Sequence, residues 1–113
     1  MRGLAMFNHF DFYGFVKDKK LIVCDISEWV DYNDKSIVKG TKITTVIYED
    51  HTDYGESEIT NKFEKIVAKI PKKVTNTKVK IDDFVVFKNA VARVYGDYNN
   101  LLSVVAEDVS VVD

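Results

Sequence analysis

The feature that most constrains the fold of this chain is a series of runs in which apolar and polar residues alternate. Val, Ile, Thr, Tyr and Phe dominate these runs, and such residues favour pleated strands. Alternation at every second residue is typical of a strand with one buried face. The sequence therefore predicts strands at about 20–30, 39–49, 62–70, 83–95 and 101–106, with a break in the fourth near Asn89 and Ala90 and a short terminal strand at 109–112.

Short polar clusters separate the predicted strands. DYNDKS at 31–36 and GDYNN at 96–100 are turn signals, and Pro71 ends the third strand. A chain of 113 residues has room for one core. We expect an all-β fold, or β with one short helix near 71–82, arranged as a small five-stranded Greek-key barrel that is OB-like. An SH3-like barrel or a small sandwich fits the same pattern, because strand order cannot be read from one sequence.

The N-terminal segment differs from the rest of the chain. Residues 1–15 are rich in aromatic side chains and show no regular period, which predicts an arm packed on a single domain at 16–113. Cys24 lies inside LIVCDI and is expected to be a buried, unreactive core residue. A single cysteine cannot form an internal disulfide, and we expect a reducing, cytoplasmic location.

Positive charge is concentrated in one segment. The whole chain carries a net charge of −2, yet residues 62–80 hold seven lysines against the single Glu64. Such a segment either solubilises a sheet edge or forms a site for an anionic ligand.

The second and third predicted strands divide by parity into two faces. Ile43, Thr45 and Ile47 on one strand, and Ile66, Ala68 and Ile70 on the next, are small or aliphatic and suit an interior. If the two strands pair as a hairpin, the opposite sets share an outer face. That face would hold Lys42, Tyr48, Phe63, Lys65 and Lys69.

Lysine beside aromatic residues on an exposed sheet is suited to single-stranded nucleic acid. Lysines neutralise phosphates, and aromatic rings stack on unpaired bases. In OB folds the neighbouring loops complete the site, which adds Tyr32 and Tyr98 to the candidates. The alternative is that Phe63 packs beneath the N-terminal arm and the lysines only solubilise the surface.

Residues with catalytic or metal-binding chemistry are sparse. His9 and His51 are far apart in the sequence, and metal sites need several ligands at short spacings. No phosphate-binding or nucleophile motif occurs. Glu107 and Asp108 are adjacent in a predicted strand, so they point to opposite faces. We expect no enzyme activity, no cofactor and no metal.

The segment FVVFKNAVARVYGDYNNLLSVVAEDV at 84–109 resembles small uncharacterised proteins of conjugative plasmids and transposons. These proteins have an Asn-(Pro/Ala)-Val-Ala turn and an Ala-(Glu/Asp)-Asp ending, found here at 89–92 and 106–108. This chain has Ala90 where the family often has proline. The resemblance implies a compact, OB-like β domain in a mobile-element setting, and it transfers no catalytic residue.

Taken with the lysine and aromatic face, these observations favour sequence-tolerant binding of single-stranded DNA or RNA. The alternatives are a protein-interaction or accessory module, and a binder of small molecules or oligosaccharides. No apolar run approaches the ~20 residues that a membrane helix needs, so no membrane association is expected. The sequence does not predict an oligomeric state.

Overall fold

The computed structural model describes residues 11–52, 55, 60–73, 77–95 and 101–112. Seven strands form a single sheet in the order β5-β6-β3-β2-β1-β4-β7, which confirms the mainly β prediction. The elements are α1 (Phe12–Val16), β1 (Lys19–Val30), β2 (Val38–Asp50), β3 (Lys65–Ile70), β4 (Phe84–Lys88), β5 (Val91–Tyr95), β6 (Leu101–Val105) and β7 (Asp108–Val111).

The sheet has seven strands rather than the five that the sequence predicts. The sheet order ends at β5 and β7, so the sheet is not a closed barrel. The count of seven arises because the predicted break divides the fourth predicted strand into β4 and β5, and because the predicted terminal strand forms β7. Asn89 adopts a positive φ of 50°, which ends β4 at the predicted break, and residues 106–107 separate β6 from β7.

The four C-terminal strands form one kinked hairpin. Lys88 pairs with Asp108 on one side of the kink, and Val91 pairs with Val105 on the other, without a shift of register between them. The first half joins the sheet through the antiparallel contact of β4 with β1, and the second half through the parallel contact of β6 with β3. The hairpin therefore contacts both outer strands of the β1-β2-β3 meander.

Backbone polar groups at the kink are paired. The Ala90 N–H donates to the Tyr13 hydroxyl at 3.0 Å, and the Asn89 side-chain amide donates to Glu107 at 2.7 Å. The Glu107 N–H donates to the Lys88 carbonyl at 3.0 Å. Because each group has a partner, the strand can bend here without leaving buried donors unsatisfied.

The helix α1 lies where the expected N-terminal arm meets the domain. Asp11 caps α1 by accepting the Gly14 N–H at 3.0 Å. Phe12 is buried, and its ring centroid lies 6.4 Å from that of Phe87. Residues 1–10 lie outside the described residues. So do residues 74–76, and the expected helical turn within 71–82 stays a prediction.

The core lies on the inner face of the sheet. Its fully buried members include Val23, Ile43, Ile47, Ile70 and Val104. Two threonine hydroxyls are buried among these side chains, and each donates a hydrogen bond to a backbone carbonyl. Thr45 donates to Ile66 at 2.8 Å, and Thr41 donates to Lys72 at 2.6 Å, so neither buried hydroxyl is left unpaired.

A buried ion pair joins α1, β1 and β2. The side chains of Lys19 and Asp50 are both fully buried, and Lys19 Nζ lies 3.4 Å from Asp50 Oδ1. The same ammonium donates to the Phe15 carbonyl at 2.7 Å and to the Thr52 hydroxyl at 2.9 Å. The carboxylate accepts the backbone N–H groups of Thr52 and Asn61.

Candidate nucleic-acid interface

The two faces of β2 and β3 are those that the parity of the sequence predicts. Ile43, Thr45 and Ile47 are buried, as are Ile66, Ala68 and Ile70. The opposite side chains pair across the two strands in three rows. We call this surface the outer face, and in β2 and β3 it consists of Lys42, Thr44, Val46, Lys65, Val67 and Lys69.

Strands β6 and β5 extend the outer face. Ser103 and Val105 lie beside Val67 and Lys69, and Arg93 and Val91 lie beside them in turn. Tyr95 follows at the end of β5, and about half of its surface is exposed. The outer face thus spans four strands and carries one arginine, three lysines and a tyrosine.

Positive charge on the outer face is not neutralised by the protein. Among the described residues, Lys42, Lys65, Lys69 and Arg93 form no salt bridge with a carboxylate. Asp25 is the acidic residue that the register places on this face, opposite Thr44. An excess of cations on a solvated surface attracts anionic polymers.

The other lysines of segment 62–80 lie outside the strands of the outer face. Lys72 donates to Asp108 on β7 at 2.8 Å. Lys62 lies 5.0 Å from the ring centroid of Phe63, and Lys78 and Lys80 precede β4. The run of positive charge in the sequence is therefore divided among several surfaces, and Lys65 and Lys69 are its contribution to the outer face.

Strand β1 adds Trp29, which the sequence analysis did not select. Its register partner is Gly40, so it lies on the same face as Lys42. Lys39 Nζ lies 5.7 Å from the centroid of the indole ring, and Lys69 Nζ lies 5.6 Å from it. Both distances are within the range of cation–π attraction. Gly40 cannot be replaced easily, because a Cβ there would overlap the Ile70 carbonyl.

The prediction that Cys24 is buried is wrong. The register of β1 against β2 shifts between Val23 and Asp25, which leaves Cys24 in a β-bulge without a partner. Leu21 and Val23 point inward before the bulge, and Ile26 packs against the core after it. Cys24 is therefore exposed, and its thiol donates to the Thr44 carbonyl at 3.4 Å.

Tyr48 and Phe63 are exposed, but the structure does not place them on one surface with each other. Tyr48 lies at another register shift, and its ring packs edge-to-face on Phe84 of β4, with centroids 5.4 Å apart. Phe63 precedes β3 rather than belonging to it, because its φ of 73° interrupts the extended backbone. Tyr48 therefore lies beside β4, whereas Phe63 lies just before β3.

Phe63 contributes to a groove of about 650 Å³ at one end of the outer face. Tyr95, Lys65 and Val67 line the same groove, and Phe15 approaches it from α1. Phe63 exposes 69% of its surface, so its ring is open to solvent. The groove thus has three aromatic residues in its lining, together with one lysine, Lys65, and one carboxylate, Glu64.

Of the two loop candidates, only Tyr32 falls among the described residues. Its side chain is 94% exposed, in a turn that Asp31 organises by accepting the N–H groups of Asn33 and Asp34. These hydrogen bonds lower the pKa of the Asp31 carboxyl, and the bond from Asp34 has the largest effect. Lys39, whose Nζ lies 3.4 Å from the carboxylate, lowers this pKa further. Tyr98 lies outside the described residues.

Carboxylates and histidines do not gather into a reactive cluster in the described part of the chain. No group of three or more metal-ligating side chains is found within residues 11–52, 60–73, 77–95 and 101–112. His51 contacts Glu49 at 3.2 Å, whereas the Asp50 carboxylate is turned toward Lys19. Glu107 and Asp108 bind different partners, Asn89 and Lys72.

No described helix is long and apolar enough to cross a membrane. Comparison with known proteins returned no matching family, curated protein or solved structure.

Proposed function

We propose that this chain is a non-enzymatic, cytoplasmic domain that binds single-stranded DNA or RNA with little sequence preference. The observation that carries the proposal is the outer face, where four cations without a carboxylate partner in the described part of the chain lie on the same face as exposed or partly exposed aromatic side chains. Lysine and arginine would neutralise phosphates, and the rings of Trp29, Tyr95 and Phe63 would stack on bases. Stacking is tolerant of sequence because every base has a π face.

The strand pairing supports an OB-like arrangement for this domain. We can count β4 with β5 as one bent fourth strand, and β6 with β7 as one bent fifth strand. In this count, β1 pairs with β2 and with the fourth strand, and β3 pairs in parallel with the fifth strand. This neighbourhood is that of a five-stranded Greek key in which strands 2 and 3 present the ligand-binding face. The mobile-element setting is supported only by the resemblance of residues 84–109.

The experiment that tests the proposal is an anisotropy titration with a labelled oligonucleotide at several salt concentrations. Single strands should bind more tightly than duplex, whose bases are already stacked. Each phosphate contact contributes about 0.7 to the slope of log K against log salt for a single strand. Lys69→Gln and Lys42→Gln should each lower the slope by about that amount.

Lys88→Gln provides the matched control. Lys88 is exposed on β4, which the sheet order separates from β2 by β1. This variant removes the same charge from the chain but none from the outer face, so its slope should equal that of the unmodified protein. An equal loss in all three variants would mean that only net charge matters, and absence of binding at low salt would refute the proposal.

The edge strands favour a second candidate, a protein-interaction module. Val91 on β5 exposes 71% of its surface, and Val111 on β7 exposes 46%. Unpaired strand edges with apolar side chains can accept a further strand from a partner. Binding through these edges would depend little on salt, which distinguishes it from the first candidate.

A further inference from the structure

Trp29 and the two lysines beside it combine the features of a nucleotide-binding subsite. We call Trp29, Lys39 and Lys69 the indole subsite. The three residues come from β1, β2 and β3, so the subsite exists only when the meander is paired. The indole is partly exposed, and both ammonium groups are held within 6 Å of its centroid.

The chemistry of the subsite selects a ligand that is both planar and anionic. Indole is the largest π surface among the side chains, and it prefers offset stacking on another ring. The ammonium groups are near the ring but can turn toward an anion, because Lys69 forms no salt bridge among the described residues and the partner of Lys39, the Asp31 carboxylate, is partly exposed to solvent. A nucleotide unit supplies a base for the ring and a phosphate for the lysines.

We propose that the indole subsite binds one nucleotide of a single strand, with its base stacked on Trp29 and its phosphate between Lys39 and Lys69. The inference rests on the proposed function and assigns a position within it. It also gives Asp31 a role, because this carboxylate competes with the phosphate for Lys39 at 3.4 Å.

Trp29 is the only tryptophan of the chain, so its fluorescence reports on this position alone. Titration with an oligothymidylate of about 15 nucleotides, a length within the range of OB-type sites, should change the emission. An abasic oligomer of the same length and charge provides the matched control. It should bind about 5- to 150-fold more weakly if one base is stacked, and should leave the emission unchanged.

Variants test the same assignment by anisotropy with the labelled oligothymidylate. Trp29→Leu should reduce the advantage of the oligothymidylate over the abasic oligomer by the contribution of one stacked base, and Trp29→Phe should retain part of that contribution. Asp31→Asn keeps an acceptor oxygen for the turn while removing the competing charge, so it should bind more tightly at low salt.

The outcomes separate this inference from the proposed function. If the labelled oligothymidylate binds while the Trp29 emission does not change and Trp29→Leu binds as tightly as the unmodified protein, the outer face binds nucleic acid elsewhere and the indole subsite is refuted. If nothing binds, both are refuted. If the abasic oligomer changes the emission equally, the subsite binds phosphate without stacking, and the assignment of a base to Trp29 is wrong.

Discussion

The buried ion pair between Lys19 and Asp50 predicts a large difference between two adjacent lysines. Lys19→Met removes the cation and leaves the Asp50 carboxylate buried. Loss of one partner from a buried pair costs about 3–5 kcal/mol. Two backbone N–H groups still donate to Asp50, so we expect the lower end, about 3 kcal/mol.

Lys20→Met is the matched control. Lys20 pairs with Glu49 at 3.5 Å, but 61% of the lysine side chain is exposed. Exposed pairs contribute about 0.2–1 kcal/mol, so this variant should lose little stability. The two variants make the same chemical change one residue apart, and they differ in burial.

Urea denaturation measures both effects. With a slope of about 1.5 kcal/mol per molar, the midpoint should fall by about 2 M for Lys19→Met and by less than about 0.7 M for Lys20→Met. Equal shifts would refute the reasoning. The double variant Lys19→Met/Asp50→Asn should be more stable than Lys19→Met alone, because it also removes the buried negative charge; a further loss would show that the ion pair is not the cause.

Three further predictions follow from single contacts. Tyr13→Phe removes the acceptor of the Ala90 N–H and should lower the free energy of unfolding by about 1 kcal/mol, measured by denaturation; no loss would mean that water replaces the hydroxyl. The hydrogen bond from Lys72 is the main cause that lowers the pKa of the Asp108 carboxyl, so Lys72→Met should raise that pKa, measured by NMR titration. A lowered native pKa contributes stability above the unfolded pKa that is lost as pH falls through the native one, so this variant should lose less stability on acidification. Cys24 should react with a thiol reagent in the native protein as fast as in urea, and protection would contradict its position at the bulge.

The pairing of β2 with β3 could be predicted because it depends on local alternation. Ile43, Thr45 and Ile47 repeat with a period of two without interruption, and the buried side chains follow that period. A register slip by one residue would expose this entire set, so the sequence determines which side chains of β2 point toward the core. The break at Asn89 was also predictable, because asparagine tolerates a positive φ.

The errors occur where a strand is not regular. Cys24 and Tyr48 lie at register shifts, and a bulge is a property of two paired strands that the pattern of one strand does not reveal. Phe63 has a positive φ that its bulky side chain gives no reason to expect. Trp29 was missed because its significance depends on lysines that pairing brings from two other strands.

The kinked hairpin has a consequence for the order of events during synthesis of the chain. The meander of β1, β2 and β3 leaves the ribosome first, and at that stage the free edges of β1 and β3 have no partner. The hairpin is a local structure with short sequence separation, so it can form rapidly once its residues have emerged. Its docking covers both edges, because β4 pairs with β1 and β6 pairs with β3. Nascent chains that stop short of residue 84 should therefore be the aggregation-prone species, and chaperones that shield strand edges should act on them before the last strands are made.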